Sequence, residues 1–309
     1  MAWWQVIVLI VYGIALSLLS IYVLHRHFLV KLYYKNRKKD PKIMGVFQPL
    51  PKVTIQLPVF NEIYVVERLI RTVLGMNYPR ELLEIQVLDD STDGTTVIAR
   101  RCVEEFKRDG YNIFYLHRTE RIGFKAGALA AGLESATGDY VAVFDADFLP
   151  PVEFLQKTIP HFMNRKVGMV QVRWGHINPD YSLLTRVQAI FLDGHFVMEQ
   201  GARSRSGMFF NFNGTAGVWR RCCIDEVGGW QHDTLTEDLD LSYRAQLAGW
   251  KFVFLNDVVA QAELPVEMNA WKTQQFRWAK GSIQTSKKLL FRVLKSRLPW
   301  RIKGEAAIH

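Results

Sequence analysis

Acidic residues in this chain are bunched at a few positions where they could do chemistry. Leu88 is followed by Asp89-Asp90-Ser91-Thr92-Asp93-Gly94, Phe144 by Asp145-Ala146-Asp147, and further on stands Thr236-Glu237-Asp238. Each would serve as an Asx turn or helix N-cap with no ligand at all. Two carboxylates one residue apart would equally suit a hard divalent cation that keeps waters and holds substrate phosphates. Spacing alone does not separate these uses, because Asp238-Leu239-Asp240 repeats it in a stretch patterned as a helix. Residues 271–281 contain Gln274-Gln275-Phe276-Arg277-Trp278, which read as an amphipathic helix with Arg and Trp at a membrane surface. The chain has no GxxxxGK[ST], and no GxGxxG in a first strand-to-helix turn. Any bound phosphate must then be held by a metal and side chains.

The apolar pattern supplies the elements that must position these groups. Short apolar runs at 53–59, 84–88, 112–117, 140–144 and 167–172 predict strands, and 62–74, 95–108, 125–136 and 151–163 predict helices between them. That alternation argues for an α/β fold with a doubly wound, mainly parallel sheet. Ligands bind such sheets beyond the carboxyl ends of the strands, where Asp89-Asp90 and Asp145-Ala146-Asp147 fall. Thr236-Glu237-Asp238 would open a helix over 239–247, its acids complementing the helix dipole.

The 309 residues carry 39 Lys+Arg against 30 Asp+Glu, a formal charge of +9, and this charge is unevenly spread. Residues 25–42 hold a net +6 and residues 272–309 a net +9, so the remainder has 22 basic and 28 acidic residues, a net of −6. A nucleic-acid binder needs a basic face on its folded domain, and this middle is acidic. No nucleic-acid partner is expected.

Residues 2–24 contain no charged side chain. As a helix they span roughly 33 Å, enough for a hydrocarbon core of about 30 Å. Nothing basic precedes the run, it is too long for the apolar region of a signal peptide, and no small-x-small cleavage site follows. It therefore predicts a retained membrane helix, with Trp3 and Trp4 at one interface and Arg26, Lys31 and Lys35 at the other, and with the following chain cytoplasmic. Cys102, Cys222 and Cys223 form no CxxC pair and are read as reduced and structural.

The ordered set Asp89-Asp90, Asp145-Ala146-Asp147, Thr236-Glu237-Asp238 and Gln274-x-x-Arg277-Trp278 resembles that of the membrane-associated family-two inverting glycosyltransferases. That group contains the cellulose, mannan and hyaluronan synthases, and the resemblance covers residues 50–280. Within it, Phe212-Asn213-Gly214-Thr215-Ala216-Gly217-Val218-Trp219-Arg220 looks most like plant mannan synthases and their bacterial relatives. Phe148 stands where cellulose synthases have His, which disfavours cellulose synthesis.

The resemblance implies a GT-A fold over 52–265, after a transmembrane helix over 1–24 and a basic linker over 25–51. Residues 266–309 would hold interfacial amphipathic helices, with further membrane helices expected beyond His309. It implies transfer of a hexose from UDP-glucose or GDP-mannose to a growing β-linked glycan, the alternative being single transfer to a ceramide-type lipid. An inactive scaffold would need damaged acids, and none of the key acids is missing. The implied ligands are a nucleotide-diphosphate sugar, a glycan or glycolipid acceptor, membrane lipids, and Mg²⁺ or Mn²⁺ on Asp145 and Asp147. Lys125, in a Lys-Ala-Gly segment, and Arg277 would face the diphosphate, with Gln274 beside it. Asp90 and Asp89 would meet the base near Phe60. Asp238 would be the general base. Phe212, Asn213, Gly214 and Thr215 would line the acceptor end, and Trp278 would stack on the acceptor sugar. The implied location is a plasma or bacterial inner membrane or, in a eukaryote, the Golgi.

Overall fold

A computed structural model describes residues 2–309. The chain opens with α1 (Trp3–Asn36), which among the described residues is the one helix long and apolar enough to cross a membrane, with a mean hydropathy of 2.6 in its most apolar window. The helix runs well past Leu24, so the linker expected from residue 25 begins after Asn36. Arg26, Lys31 and Lys35 are good helix formers, and no breaker appears until Pro41.

The elements of the sheet and its covering helices follow: β1 (Val53–Val59), α2 (Val66–Leu74), β2 (Leu83–Asp89), α3 (Thr95–Arg108), β3 (Ile113–His117), α4 (Phe124–Ser135), β4 (Tyr140–Val143) and β5 (Phe148–Leu149). After α5 (Phe154–Thr158) come β6 (Val167–His176) and α6 (Leu183–Asp193), a π-helical turn over Gly194–Gln200, and α7 (Gly201–Ser206). The chain then forms β7 (Gly217–Arg220), α8 (Arg221–Glu226), α9 (Glu237–Leu247), β8 (Lys251–Ala262), α10 (Met268–Lys295) and α11 (Trp300–Ile308).

One eight-stranded sheet runs in the order β3-β2-β1-β4-β7-β6-β8-β5. Its first four strands are parallel, as the alternating pattern predicts, and β6 and β8 are also parallel. Strand β7, however, is antiparallel to both neighbours, and β5 is antiparallel to β8, so the sheet is mixed, with the other strands all running in one direction as the pattern predicts. The α3 boundaries coincide with the expected ones. The helix expected over 151–163 instead divides into α5 and a 3₁₀ turn, Ile159–Met163, with Pro160 in the first positions of that turn.

Two apolar layers enclose the sheet. Val66, Leu69, Ile70 and Val73 of α2 meet Val53, Ile55, Leu57 and Val87 on one side. On the other, Leu129 and Leu133 of α4 join Val141, Val143, Phe212, Trp219 and Leu241. Cys102, Cys222 and Cys223 are all free thiols.

The strand register brings the acids together. Val59 of β1 pairs with Asp89 of β2, and Gln56 of β1 with Val143 of β4, so three loops leave the sheet side by side at its carboxyl edge. Because β7 runs the other way, with Val143 opposite Gly217, the residues just before β7 arrive at that same edge.

Candidate active site

Asp89 is fully buried at the end of β2, with Oδ1 accepting the Ser91 N–H at 2.9 Å and Oδ2 the Tyr115 hydroxyl at 2.6 Å. Burial opposes its charge, but hydrogen bonds from Ser91, Tyr115 and Thr96 outweigh that and hold the carboxyl below its ordinary range. It braces the loop from beneath and presents no free oxygen to the cleft. Its neighbour Asp90 accepts both ends of a guanidinium fork, Arg118 Nε to Oδ1 at 2.8 Å and Nη2 to Oδ2 at 2.5 Å. The same Arg118 donates to the carbonyls of Ile122 at 3.0 Å and Phe124 at 2.9 Å, fixing the loop between β3 and α4. Arg121, on that loop, lies with Cζ 3.3 Å from the centroid of the Phe60 ring and Nε 3.9 Å from Asp90 Oδ2. Burial and the charges of Arg118 and Arg277 lower its pKa, against the opposing pull of Asp90.

Beyond β4, the Asp145 N–H donates to Thr215 Oγ1 at 2.9 Å, and the Asp145 carboxylate is paired with the ammonium of Lys125. Lys125 Nζ also donates to the Gly214 carbonyl at 3.0 Å. Burial works against the Lys125 charge, yet Asp145, Glu237 and Asp238 together outweigh it and raise its pKa. Burial, and then the Asp145 charge, push the Asp147 carboxyl up to about 7. Glu62, just beyond β1, is raised by burial and then by Asp145.

This acidic pair lacks positive charge even with Lys125 against it. Among the described residues no group of three His, Cys, Asp or Glu side chains is arranged to hold a metal. Two carboxylates nonetheless fit a hard divalent cation that takes its remaining ligands from phosphate and water.

Glu237 and Asp238 occupy the first turn of α9, where the helix dipole favours negative charge. Burial raises both carboxyls, and the Glu237 charge raises Asp238 further. Gly214 sits between the two halves of the site. Its φ of +82° is one a side chain rarely adopts, and a Cβ there would stand 3.3 Å from Asp238 Oδ2 and 3.4 Å from Lys125 Nζ. The acid of α9 and the lysine of α4 thus both border the space that a side chain at Gly214 would fill.

The segment before β7 divides. Phe212 has no exposed surface, packs its ring against Trp219 and Trp230, and so does not face the cleft as the resemblance implied. Thr215 is also buried and supports Asp145 from behind. Asn213 donates to His195 at 3.1 Å and accepts from Gln200 at 2.8 Å, both from the π-helical turn. On α10, Gln274 and Trp278 are half-buried, and Arg277 is exposed with its charge felt at Glu237 and Arg121. Sequence reasoning passed over Glu62, Arg118 and Arg121. The available signal was position, since Glu62 and Arg118 each follow a strand that ends at the acidic edge.

A family model for glycosyltransferase like family 2 matches residues 51–281. Probable glucomannan 4-beta-mannosyltransferase 7 of Oryza sativa subsp. japonica is 45% identical over 79% of this chain and 43% of its own length. Glucomannan 4-beta-mannosyltransferase 2 of Arabidopsis thaliana is 41% identical over 87% of this chain and 53% of its own. The chain therefore spans about half the length of these curated relatives. Among solved structures, a mannosyltransferase from Pyrobaculum calidifontis in complex with GDP-Man and Mn²⁺ aligns with a TM-score of 0.76, at 24% identity, over 96% of this chain and 80% of that one. S. aureus TarS 1-349 in complex with UDP-GlcNAc aligns at a TM-score of 0.59 and 16% identity, over 83% of this chain and 70% of that one. These likenesses show a GT-A-like fold, here with a mixed sheet and an N-terminal apolar helix. With three quarters of its length matched by the family model and close relatives among plant proteins, the chain belongs to glycosyltransferase like family 2.

Proposed function

We propose that the chain is the catalytic portion of a membrane-anchored inverting mannosyltransferase, which moves mannose from GDP-mannose to a growing β-linked glycan. The observation that carries this reading is the meeting of Asp238, Lys125 and Asp145 around the Gly214 backbone. The naming of the relatives as 4-beta-mannosyltransferases supports mannose over glucose. The solved neighbour with GDP-Man and Mn²⁺ supports the nucleotide and a divalent ion.

In this reading Asp238 accepts the proton of an acceptor hydroxyl, and the freed oxygen pair attacks the anomeric carbon from the face opposite the nucleotide. The bond from that carbon to the phosphate oxygen breaks, its electron pair leaves with the nucleoside diphosphate, and an α-linked donor gives a β-glycoside. The raised Asp238 carboxyl makes it a stronger base than an exposed aspartate. Asp145 and Asp147 would hold Mg²⁺ or Mn²⁺, which when bound supplies Lewis-acid charge to the leaving diphosphate. Lys125 and Arg277 add fixed positive charge beside it. Trp278 stacks on the acceptor sugar, Gln274 lies at the donor, and Phe60 and Asp90 flank the base. The α1 helix anchors the domain to the membrane face, with the exposed apolar residues Phe276, Ile283 and Phe291 of α10 against lipid.

The test is incubation of membranes carrying the full chain with labelled GDP-mannose, UDP-glucose and UDP-GlcNAc, followed by digestion of the product with linkage-specific glycosidases. A β-mannanase-sensitive polymer from GDP-mannose alone is expected. A glucose-labelled lipid, extractable into chloroform, would replace this reading with single transfer to lipid.

A further inference from the structure

Helix α10 carries polar residues that neither donor nor acceptor uses. After Gln274 and Trp278, Gly281, Thr285 and Lys288 continue the same stripe at alternating steps of three and four, with Gln284 adjoining it. One end of this face lies at the cleft, and the other end meets the loop that leads into α9.

The contacts there are dense and specific. Gln284 Oε1 accepts the Leu235 N–H at 2.9 Å, and the hydroxyls of Thr285 and Thr236 lie 3.2 Å apart. Lys288 Nζ donates to Gln231 Oε1 and Asp233 Oδ1, both at 2.7 Å, and stands 2.8 Å from Asp240 Oδ1. Asp240 has no exposed surface, and its other oxygen is paired with Arg244 at 2.7 Å. Gly281 lets the two segments close up, since a Cβ there would stand 2.4 Å from Thr236 Cγ2.

The start of α9 makes these contacts consequential. Thr236 is the N-cap residue, yet its side chain makes no cap hydrogen bond to its own helix and turns to Thr285 instead. A helix start is ordinarily set by its own cap. Here α10 sets it from outside, one and two residues before Glu237 and Asp238.

We propose that Gln284 and Lys288 are positioning residues: they lock the 231–236 loop to α10, so that Asp238 is held in one fixed register with Gln274, Arg277 and Trp278. The inference rests on the reading of Asp238 as general base, and it makes α10 a rigid ruler between the base and the residues assigned to donor and acceptor. It acts through placement, because neither side chain reaches the cleft.

The test uses the full chain with Gln284→Ala, Lys288→Met and Lys288→Arg. Amide hydrogen exchange of the 231–240 peptide, GDP-mannose affinity and kcat are measured on each. Gln284→Ala and Lys288→Met are expected to speed exchange in that peptide roughly tenfold while the rest of the domain stays protected. Turnover should fall about 10- to 100-fold, the scale of a misplaced catalytic group, with donor affinity within about twofold of wild type. Lys288→Arg, which keeps the charge, should recover most of the turnover.

Unchanged exchange in both Gln284→Ala and Lys288→Met would overturn the proposal, as would a loss of donor affinity in step with kcat. Should Lys288→Met fail to fold because buried Asp240 loses a partner, Gln284→Ala decides alone, since it removes one neutral hydrogen bond. A wild type inactive on every sugar nucleotide would sink the transferase reading itself, whereas exchange still reports whether α10 holds the loop.

Discussion

Arg118 grips Asp90 with both arms of its guanidinium, at 2.8 and 2.5 Å, and with the same group holds the carbonyls of Ile122 and Phe124. One side chain thereby ties the end of β2 to the loop that delivers Arg121 and Lys125. A carboxylate has about four lone-pair sites, so Asp90 retains capacity for a further donor after Arg118 has taken two.

Breaking that pair should be costly. Arg118→Ala leaves Asp90, at 5% exposure, without its fork, and is expected to destabilise the domain by on the order of 3 kcal/mol. Arg118→Lys keeps the charge but not the bidentate geometry and should cost less than the alanine variant. Urea titration of the three proteins checks both, and equal midpoints would refute the brace.

Asp238→Asn should leave donor binding nearly intact and lower turnover by roughly 10² or more. Only the ionised carboxylate accepts a proton, so kcat/KM should rise with pH through its raised pKa. Glu237→Gln removes the neighbouring negative charge, which makes Asp238 easier to ionise. The acid limb of the pH–rate profile should therefore move to lower pH. A limb that stays in place, or moves up, would remove Glu237 from the control of Asp238.

His195 gives the fold an acid weakness. Burial, followed by the charges of Arg203 and Arg26, lowers its imidazole to about 3. Glu199 lies 3.6 Å away, but it already serves Arg26 and Arg203 and does little to favour another cation. Two amide groups, of Gln200 and Asn213, lie 3.2 and 3.1 Å from Nε2 and leave that nitrogen as an acceptor. The unfolded chain takes up this proton near pH 6.5 and the folded one does not. Its contribution is thus complete above about pH 6.5 and is lost as pH falls from there toward 3, by at most about 1.4 kcal/mol per pH unit. Melting temperatures at pH 7.5 and 5.5 should differ less in His195→Gln than in wild type.

Chelation tests the acids that follow β4. Treatment with EDTA should abolish GDP-mannose binding, and added Mn²⁺ or Mg²⁺ should restore it, because two carboxylates facing a diphosphate repel without a cation between them. Donor affinity that survives EDTA unchanged would rule out the metal role of Asp145 and Asp147.

Much of the cleft was legible because parallel strands announce their own ends. An apolar run stops, an acid follows, and the fold places every such end on one edge, so Asp89-Asp90 and Asp145-Ala146-Asp147 could be located from order alone. The helix over 95–108 and the long apolar helix at the N-terminus were equally readable, being determined by local periodicity and length. What lay beyond reach was long-range pairing. Strand β7 is four residues long and carries no pattern of its own; antiparallel pairing with β4 and β6 makes it a strand and delivers Gly214 between Lys125 and Asp238. Long-range contacts likewise turn Phe212 into the core, its N–H donating to the Ser242 hydroxyl of α9 and its ring packing on Trp219 and Trp230. The amino-acid order determined which chemical groups stand at the ends of the early strands and that a membrane-length helix precedes them. Tertiary structure alone decided which of those groups meet, because Arg118 and Asp90, or Lys288 and Asp240, are brought into contact by packing between elements far apart in the chain.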